Sequence, residues 1–182
     1  MKHLKLVLII VAVVVAIALM CVFMVQGAQN GAINREEQIE TAQSDIKVQE
    51  KRRADLIPNL ADCVKQYDKH EYDTLVGVIA ARGTNTDASV DEIKTMISAV
   101  AEQYPQLQSN TNYKQLMNEL AITENLIAEY RSNFNKQVKE YNRYVRKFPT
   151  RFFLSMTGYE VIEYKYLDYE VSSDAPTNLF GE

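Results

Sequence analysis

Leu4 to Val25 reads LKLVLIIVAVVVAIALMCVFMV, an apolar run whose single charge, Lys5, stands at its start. As an α-helix rising about 1.5 Å per residue it reaches roughly 33 Å, enough to cross the hydrocarbon core of a bilayer. A cleaved secretory signal would carry an apolar core of about 7–15 residues and a small-residue exit. This run is longer and Val25-Gln26-Gly27 is a faint exit, so a retained anchor is the expectation. A lipoprotein signal needs small residues before its cysteine; Leu19 and Met20 precede Cys21, which argues against lipidation. Lys2, Lys5 and the amino terminus precede the run, and no charge follows it until Arg35 beside Glu36 and Glu37. That bias favours a cytoplasmic N-terminus with the rest of the chain across the membrane.

Beyond the anchor about 150 residues remain, which suits one domain with one core. The 182-residue chain is 24% charged and 47% hydrophobic, a globular balance. Its six glycines and four prolines leave room for long helices. The net charge is −4, and Lys2 and Lys5 belong to the anchor, so the remainder is more acidic still. A mildly acidic domain without a basic stripe is a poor polyanion ligand, and nucleic-acid binding is not expected. Cys21 lies in the apolar run and Cys63 in a helical pattern, so no intrachain disulfide is expected. Cys63 reads as a small buried residue.

From Asn34 to Arg82 the only punctuation is Pro58. Ile39, Ala42, Ile46, Gln49, Arg53, Leu56, Leu60, Cys63, Tyr67, His70 and Thr74 alternate spacings of three and four, a heptad-like stripe. Pro58 removes an N–H from that helix and either kinks it or makes Asn59 the start of a separate one. Gly83 to Asp87 is a loop in which Gly83 suits a helix C-terminus. Ser89 with Glu92 reads as a capping box, and Pro105 ends the short helix after it. A polar loop, Gln106 to Thr111, leads to a last long helix. Its stripe is Tyr113, Leu116, Leu120, Thr123, Ile127, Tyr130, Phe134, Val138, Tyr141, Val145 and Phe148, and Pro149 stops it. Phe152 to Glu182 is Tyr-rich, either extended or a short helix on the bundle end.

Three apolar stripes must bury one another. The expected fold is all-α: an N-terminal transmembrane helix followed by an elongated antiparallel three- or four-helix bundle. The expected domains are an anchor and linker over 1–30, a bundle over 31–150, and a tail over 151–182 packed on or near it.

The run Lys51-Arg52-Arg53-Ala54-Asp55-Leu56-Ile57-Pro58-Asn59-Leu60 resembles the signature segment of the bacterial LemA family. Val64 to Tyr67, His70-Glu71 and Ala80-Ala81-Arg82 continue the match. So do Glu102-x-Tyr104-Pro105-x-Leu107 and, in the last helix, Leu120, Glu124, Arg131, Asn135, Val138, Tyr141 and Asn142. The Pro176 to Phe180 ending is also similar. The chain departs from the family at Thr41-Ala42-Gln43, where a tryptophan is frequent, and at Asp68-Lys69. The resemblance implies a membrane-anchored helical bundle of the bacterial plasma (inner) membrane with no established enzymatic activity.

The residues themselves offer no reaction. His70-Glu71 opens like a zinc-protease H-E-x-x-H, but position 74 is Thr and the only other histidine is His3. A di-iron bundle would need two Glu-x-x-His pairs, and Tyr67 stands where the Glu before His70 should be. No metal, cofactor or catalytic residue is expected. The polar residues on apolar stripes are instead the candidates for a structural network or interaction surface. His70 reads as a seam residue bonded to a neighbouring helix. Arg53 or Arg131 is expected to pair across helices with Glu71 or Glu124, because a buried charge needs a partner. Asn135 and Asn142, seven apart, are either a ladder between helices, caps for carbonyls freed near Pro58, or a solvated edge. Asp55, Pro58, Asn59 and Arg82 of the family-like segments complete the set. The expected partners are the bilayer, through Leu4 to Val25, and a protein partner or a second copy. The functional expectation is a membrane-held scaffold or adaptor. The rivals are a self-associating membrane-organising module and an enzyme subunit using His70 with Glu71, Glu124 or Asp55.

Overall fold

One unbroken helix, α1 (Lys2–Lys65), carries the apolar run, passes Gly27 and Gly31, and continues through Pro58. The computed structural model describes residues 2–83 and 87–168, with side chains from residue 6 onward except those of 87–89. The other helices are α2 (Lys69–Arg82), α3 (Asp87–Gln103), α4 (Pro105–Ser109), α5 (Thr111–Arg146) and α6 (Thr150–Met156). No strand occurs among the described residues, and the fold is all-α. Residues 6–24 are exposed throughout and lie in the one helix, among the described residues, that is long and apolar enough to cross a membrane, near the N-terminus. A continuous exposed run of Leu, Ile and Val marks a surface that lipid or another apolar partner covers, and its length suits a bilayer.

A separate helix beginning at Asn59 is excluded, because α1 runs on to Lys65. Pro58 is exposed, and the Asn59 amide donates to the Asp55 carbonyl at 2.9 Å. The true interruption lies further on. Asp68 adopts an extended backbone (φ −146°, ψ 109°), and its carboxylate accepts from the His70 and Glu71 N–H groups at 2.9 and 3.1 Å. This N-cap satisfies donors that a helix start leaves open. At the other end of α2, Gly83 takes φ +71° and its N–H reaches the Ile79 carbonyl at 2.9 Å, a conformation for which glycine is suited.

α3 begins at Asp87, two residues before the expected cap at Ser89, and Glu92 pairs with Arg82 rather than closing a capping box. Thr84 to Thr86 lie outside the described residues, as does the Pro176 to Phe180 ending. The expected loop after Pro105 is mostly the one-turn α4. Asn110 then opens α5, its side-chain oxygen accepting from the Asn112 and Tyr113 N–H groups at 2.9 and 3.2 Å.

The chain divides into two compact units, Gln38–Asn133 and Met1–Glu37 with Phe134–Glu182. In the first of these, α2 and α3 and the adjoining parts of α1 and α5 enclose one apolar core. Leu56, Ile57, Leu60 and Val64 of α1 meet Leu75, Ile93, Ile97 and Leu120, with Leu107 of α4 among them. The corners on either side are tied together. The Tyr104 hydroxyl donates to the Asp68 carboxylate at 3.0 Å, and the Asn110 amide to the Tyr67 hydroxyl at 3.3 Å. In the second unit Ala28 and Ala32 of α1 lie buried with Phe134, Val138, Tyr141 and Val145 of α5 and Leu154 of α6. α1 and α5 run antiparallel there: Tyr141 reaches Glu36, and Tyr144, further along α5, reaches back to Gly27 and Ala28.

Candidate functional site

Within the Gln38–Asn133 unit, charged residues line the facing sides of α1 and α5. The Arg53 side chain is fully buried, with Nη1 3.4 Å from Glu124 Oε1. Arg131 Nη2 lies 3.2 Å from Glu50 Oε1, and Arg52 pairs with Glu119. Pairing along the antiparallel seam runs 50 with 131, 53 with 124 and 52 with 119. A one-turn slip of either helix would separate all three pairs, so this set opposes slippage. Glu71 is part of no such pair; its N–H serves the Asp68 cap. His70 lies exposed on the first turn of α2 and not in a seam, because the stop at Asp68 resets the helical phase that would have carried it inward. Asp55 is exposed, and Arg82 pairs with Glu92 at the surface. The Cys63 thiol is half-buried and its pKa is raised by burial and then by Asp62.

The other unit holds a different arrangement. After α6, Gly158 turns at φ +67° and residues 159–168 run extended along α5. Asn135 grips this strap by its main chain: its oxygen accepts from the Leu167 N–H at 2.8 Å, and its amide donates to the Leu167 carbonyl at 3.0 Å. One heptad on, the Asn142 amide donates to the Tyr164 carbonyl at 3.2 Å. The Ile162 N–H donates to the Tyr141 hydroxyl at 3.1 Å, and the Tyr141 and Tyr164 rings meet edge to face at 5.2 Å. Asn135 and Asn142 therefore neither ladder between helices nor cap carbonyls near Pro58; both bond the main chain of the non-helical segment after α6. Four of these contacts read backbone alone, the way an added strand is recognised on a sheet edge.

A carboxylate anchors the far side. Tyr141 and Tyr159 both donate to Glu36 Oε1, at 2.8 and 3.0 Å. Burial first, then the bond to Glu36 and its charge, raise both phenol pKa values, that of Tyr159 up to about 12. Next along α5, the Tyr144 ring rests on Gly31 with Arg35 over one face at 3.9 Å. A side chain at position 31 would occupy the space of that ring. Glu36 and Tyr159 carry no sequence signal of this role, since neither falls on a stripe; Tyr141 stands on the stripe of the last helix, and the asparagines stand out by their spacing of seven and through the resemblance.

No three His, Cys, Asp or Glu side chains converge to hold a metal ion among the described residues. The arrangement joins α1 to α5 by ion pairs and bonds the main chain of an extended segment.

The chain is similar to known proteins at two levels. Over 68 residues it is 37% identical to the magnetosome protein MamQ of Magnetospirillum gryphiswaldense, and as similar to MamQ 2 of Paramagnetospirillum magneticum. These alignments cover 37% of this chain and 25% of each relative, so the chain spans only about a quarter of the MamQ proteins it matches. It is 26% identical over 140 residues to protein LemA of Metamycoplasma hominis, covering 70% of this chain and 64% of that one. The model of the LemA family matches residues 42–178, from the polar seam to the tail: this chain belongs to the LemA family.

Proposed function

We propose that this protein is a non-enzymatic scaffold or adaptor held at the bacterial plasma membrane by a single N-terminal span. One observation carries the reading. The helix whose residues 6–24 expose only apolar and small side chains continues without a break into Ala28 and Ala32, buried in a folded unit. An anchor joined to its cargo by continuous helix transmits position without a flexible linker. The N-terminus is cytoplasmic in this reading, and the bundle lies on the far side, following the lysines before the span.

Orientation is tested with Val76→Cys on the exposed face of α2. A membrane-impermeant maleimide labels it in intact cells, or in spheroplasts where an outer membrane intervenes, if the bundle is outside; labelling only after lysis reverses the topology. Native Cys63, half-buried with a raised pKa, gives little background. The scaffold reading itself is tested by crosslinking the full-length protein in intact membranes and identifying what purifies with it. A discrete membrane protein supports it. Ladders of this chain alone favour the self-associating alternative, and neither product overturns both.

A further inference from the structure

The last apolar position of the α5 stripe, Phe148, is 84% exposed instead of buried. Phe152 and Met156, one turn apart on α6, are also exposed, at 56% and 58%. Large apolar side chains grouped this way in water mark a surface that something apolar covers. Their surroundings are basic. Arg143, Arg146, Lys147 and Arg151 fall between Tyr141 and Tyr159, and no acidic residue does, in a chain whose net charge is −4. None of the four makes an ion pair among the described residues. An open groove is lined by Arg146 and Arg151 together with Asn142, Val145, Val161, Ile162 and Glu163.

The fold puts this elbow beside the exit of the span. Tyr144 hydrogen-bonds the carbonyls of Gly27 and Ala28, both at 3.3 Å, and Lys147 lies over the Tyr144 ring at 5.1 Å. α5 runs antiparallel to α1, so each further turn of α5 advances roughly 5.4 Å toward the apolar run. α5 ends at Arg146, and Phe148 follows in the turn before α6, four residues from the Tyr144 that bonds the Gly27 end of the apolar run. That end lies at the depth of lipid headgroups if residues 6–25 cross the bilayer. Aromatic rings favour that depth, and arginine and lysine near an anionic surface are attracted to it.

We propose that the α5–α6 elbow is a second membrane contact, with Phe148, Phe152 and Met156 inserted below the headgroups of the bilayer that holds the anchor and Arg146, Lys147 and Arg151 bound to anionic lipid phosphates. The proposal rests on the reading of residues 6–25 as a span. A second copy of the chain is the rival occupant; continuity with the span favours lipid.

The chain has no tryptophan, so single introduced indoles report without background. Full-length Phe148→Trp, Phe152→Trp, Ile17→Trp and Val76→Trp are reconstituted separately into vesicles of phosphatidylethanolamine and phosphatidylglycerol. The lipids carry bromine either just below the glycerol or near the acyl-chain end. Ile17→Trp reads the anchor: quenching by the deep bromines is expected, and its absence overturns the span beneath the proposal. Phe148→Trp and Phe152→Trp are expected to lose most of their emission to the shallow bromines, while Val76→Trp loses none. A quenched Ile17→Trp beside an unquenched Phe148→Trp overturns the elbow contact alone. A blue-shifted, unquenched Phe148→Trp overturns it in favour of a protein cover. Exchanging phosphatidylglycerol for phosphatidylcholine, or replacing Arg146, Lys147 and Arg151 by Gln, is expected to weaken the quenching; an unchanged signal in both overturns the assignment of anionic lipid.

Discussion

Arg53 and Arg131 make similar ion pairs in different surroundings, and burial decides what each contributes. Arg53 is wholly enclosed, so truncating it leaves a half-buried Glu124 without its partner and a hole in the seam. Losing one partner of a buried pair costs about 3–5 kcal/mol, whereas exposed pairs contribute roughly 0–1 kcal/mol. Arg53→Ala is therefore expected to lower the melting temperature clearly more than Arg131→Ala, whose pair with Glu50 is partly solvated. Circular-dichroism melts measure this, and equal shifts would contradict the burial argument. Tyr159 gives a pH prediction at the same scale. Its folded pKa of about 12 lies above the ordinary value of about 10. A group whose pKa is raised on folding contributes stability that is complete below the unfolded value and lost as pH rises toward the folded one. Stability should thus be insensitive to Tyr159 below about pH 10 and decline from there to about pH 12. In a tyrosinate absorbance titration, Tyr159→Phe should remove one late-ionising phenol and leave the main transition in place.

At the scale of elements, Asp68 matters more than Pro58. The proline sits exposed within a continuing helix, while Asp68 stops α1, caps α2 and receives Tyr104. The Glu71 N–H bond, then Tyr104, hold its pKa below the ordinary carboxylate value. Stability from a lowered pKa is present above the unfolded value, near 3.9, and is lost as pH falls through the folded one. Asp68→Ala should lower the melting temperature at pH 7, and Asp68→Asn, a good N-cap, should restore most of it. The gap between wild type and Asp68→Asn should shrink as pH falls below about 4; a constant gap would mean the charge is irrelevant. The Asp68-Lys69-His70-Glu71 run has the D-x-x-E form of a helix start, so this stop was legible beside the more conspicuous proline. The strap is the second case. It is held mostly by side chains reading its backbone, and Val161, Ile162, Tyr166 and Leu167 remain exposed. Segments with few buried apolar contacts open at low cost. Asn135→Ala, which removes both bonds to Leu167, should speed hydrogen exchange at the Leu167 amide by more than tenfold without unfolding the helices. Unaltered exchange there would show that the strap is held by something else.

For the molecule as a whole, the span and the folded units divide cleanly. Residues 6–24 bury no side chain, and the first buried residue of α1 is Ala28. Removing residues 1–25 should leave a helical, cooperatively melting protein that fractionates without detergent; aggregation with loss of helix would mean that the apolar run supports the fold. What the sequence determined by itself is whatever depends on composition and period: a membrane-length apolar run, helices without strands, and the inward faces of α1 and α5. These properties are local, and each residue carries its part of the signal wherever the chain goes. Membership of the LemA family was readable for the same reason, in the run through Pro58. The tertiary structure decided what depends on which distant residues meet. His70 faces solvent because a cap upstream shifts its phase. Asn135 and Asn142 become a grip only because the chain reverses at Gly158 and returns along α5. Phe148 completes an apolar stripe on paper, yet it is exposed because α5 ends at Arg146 and the chain turns there toward α6, which takes the residue off the helix face. Periodicity records which side of a helix is apolar; only the packed chain decides whether protein or something else lies against it.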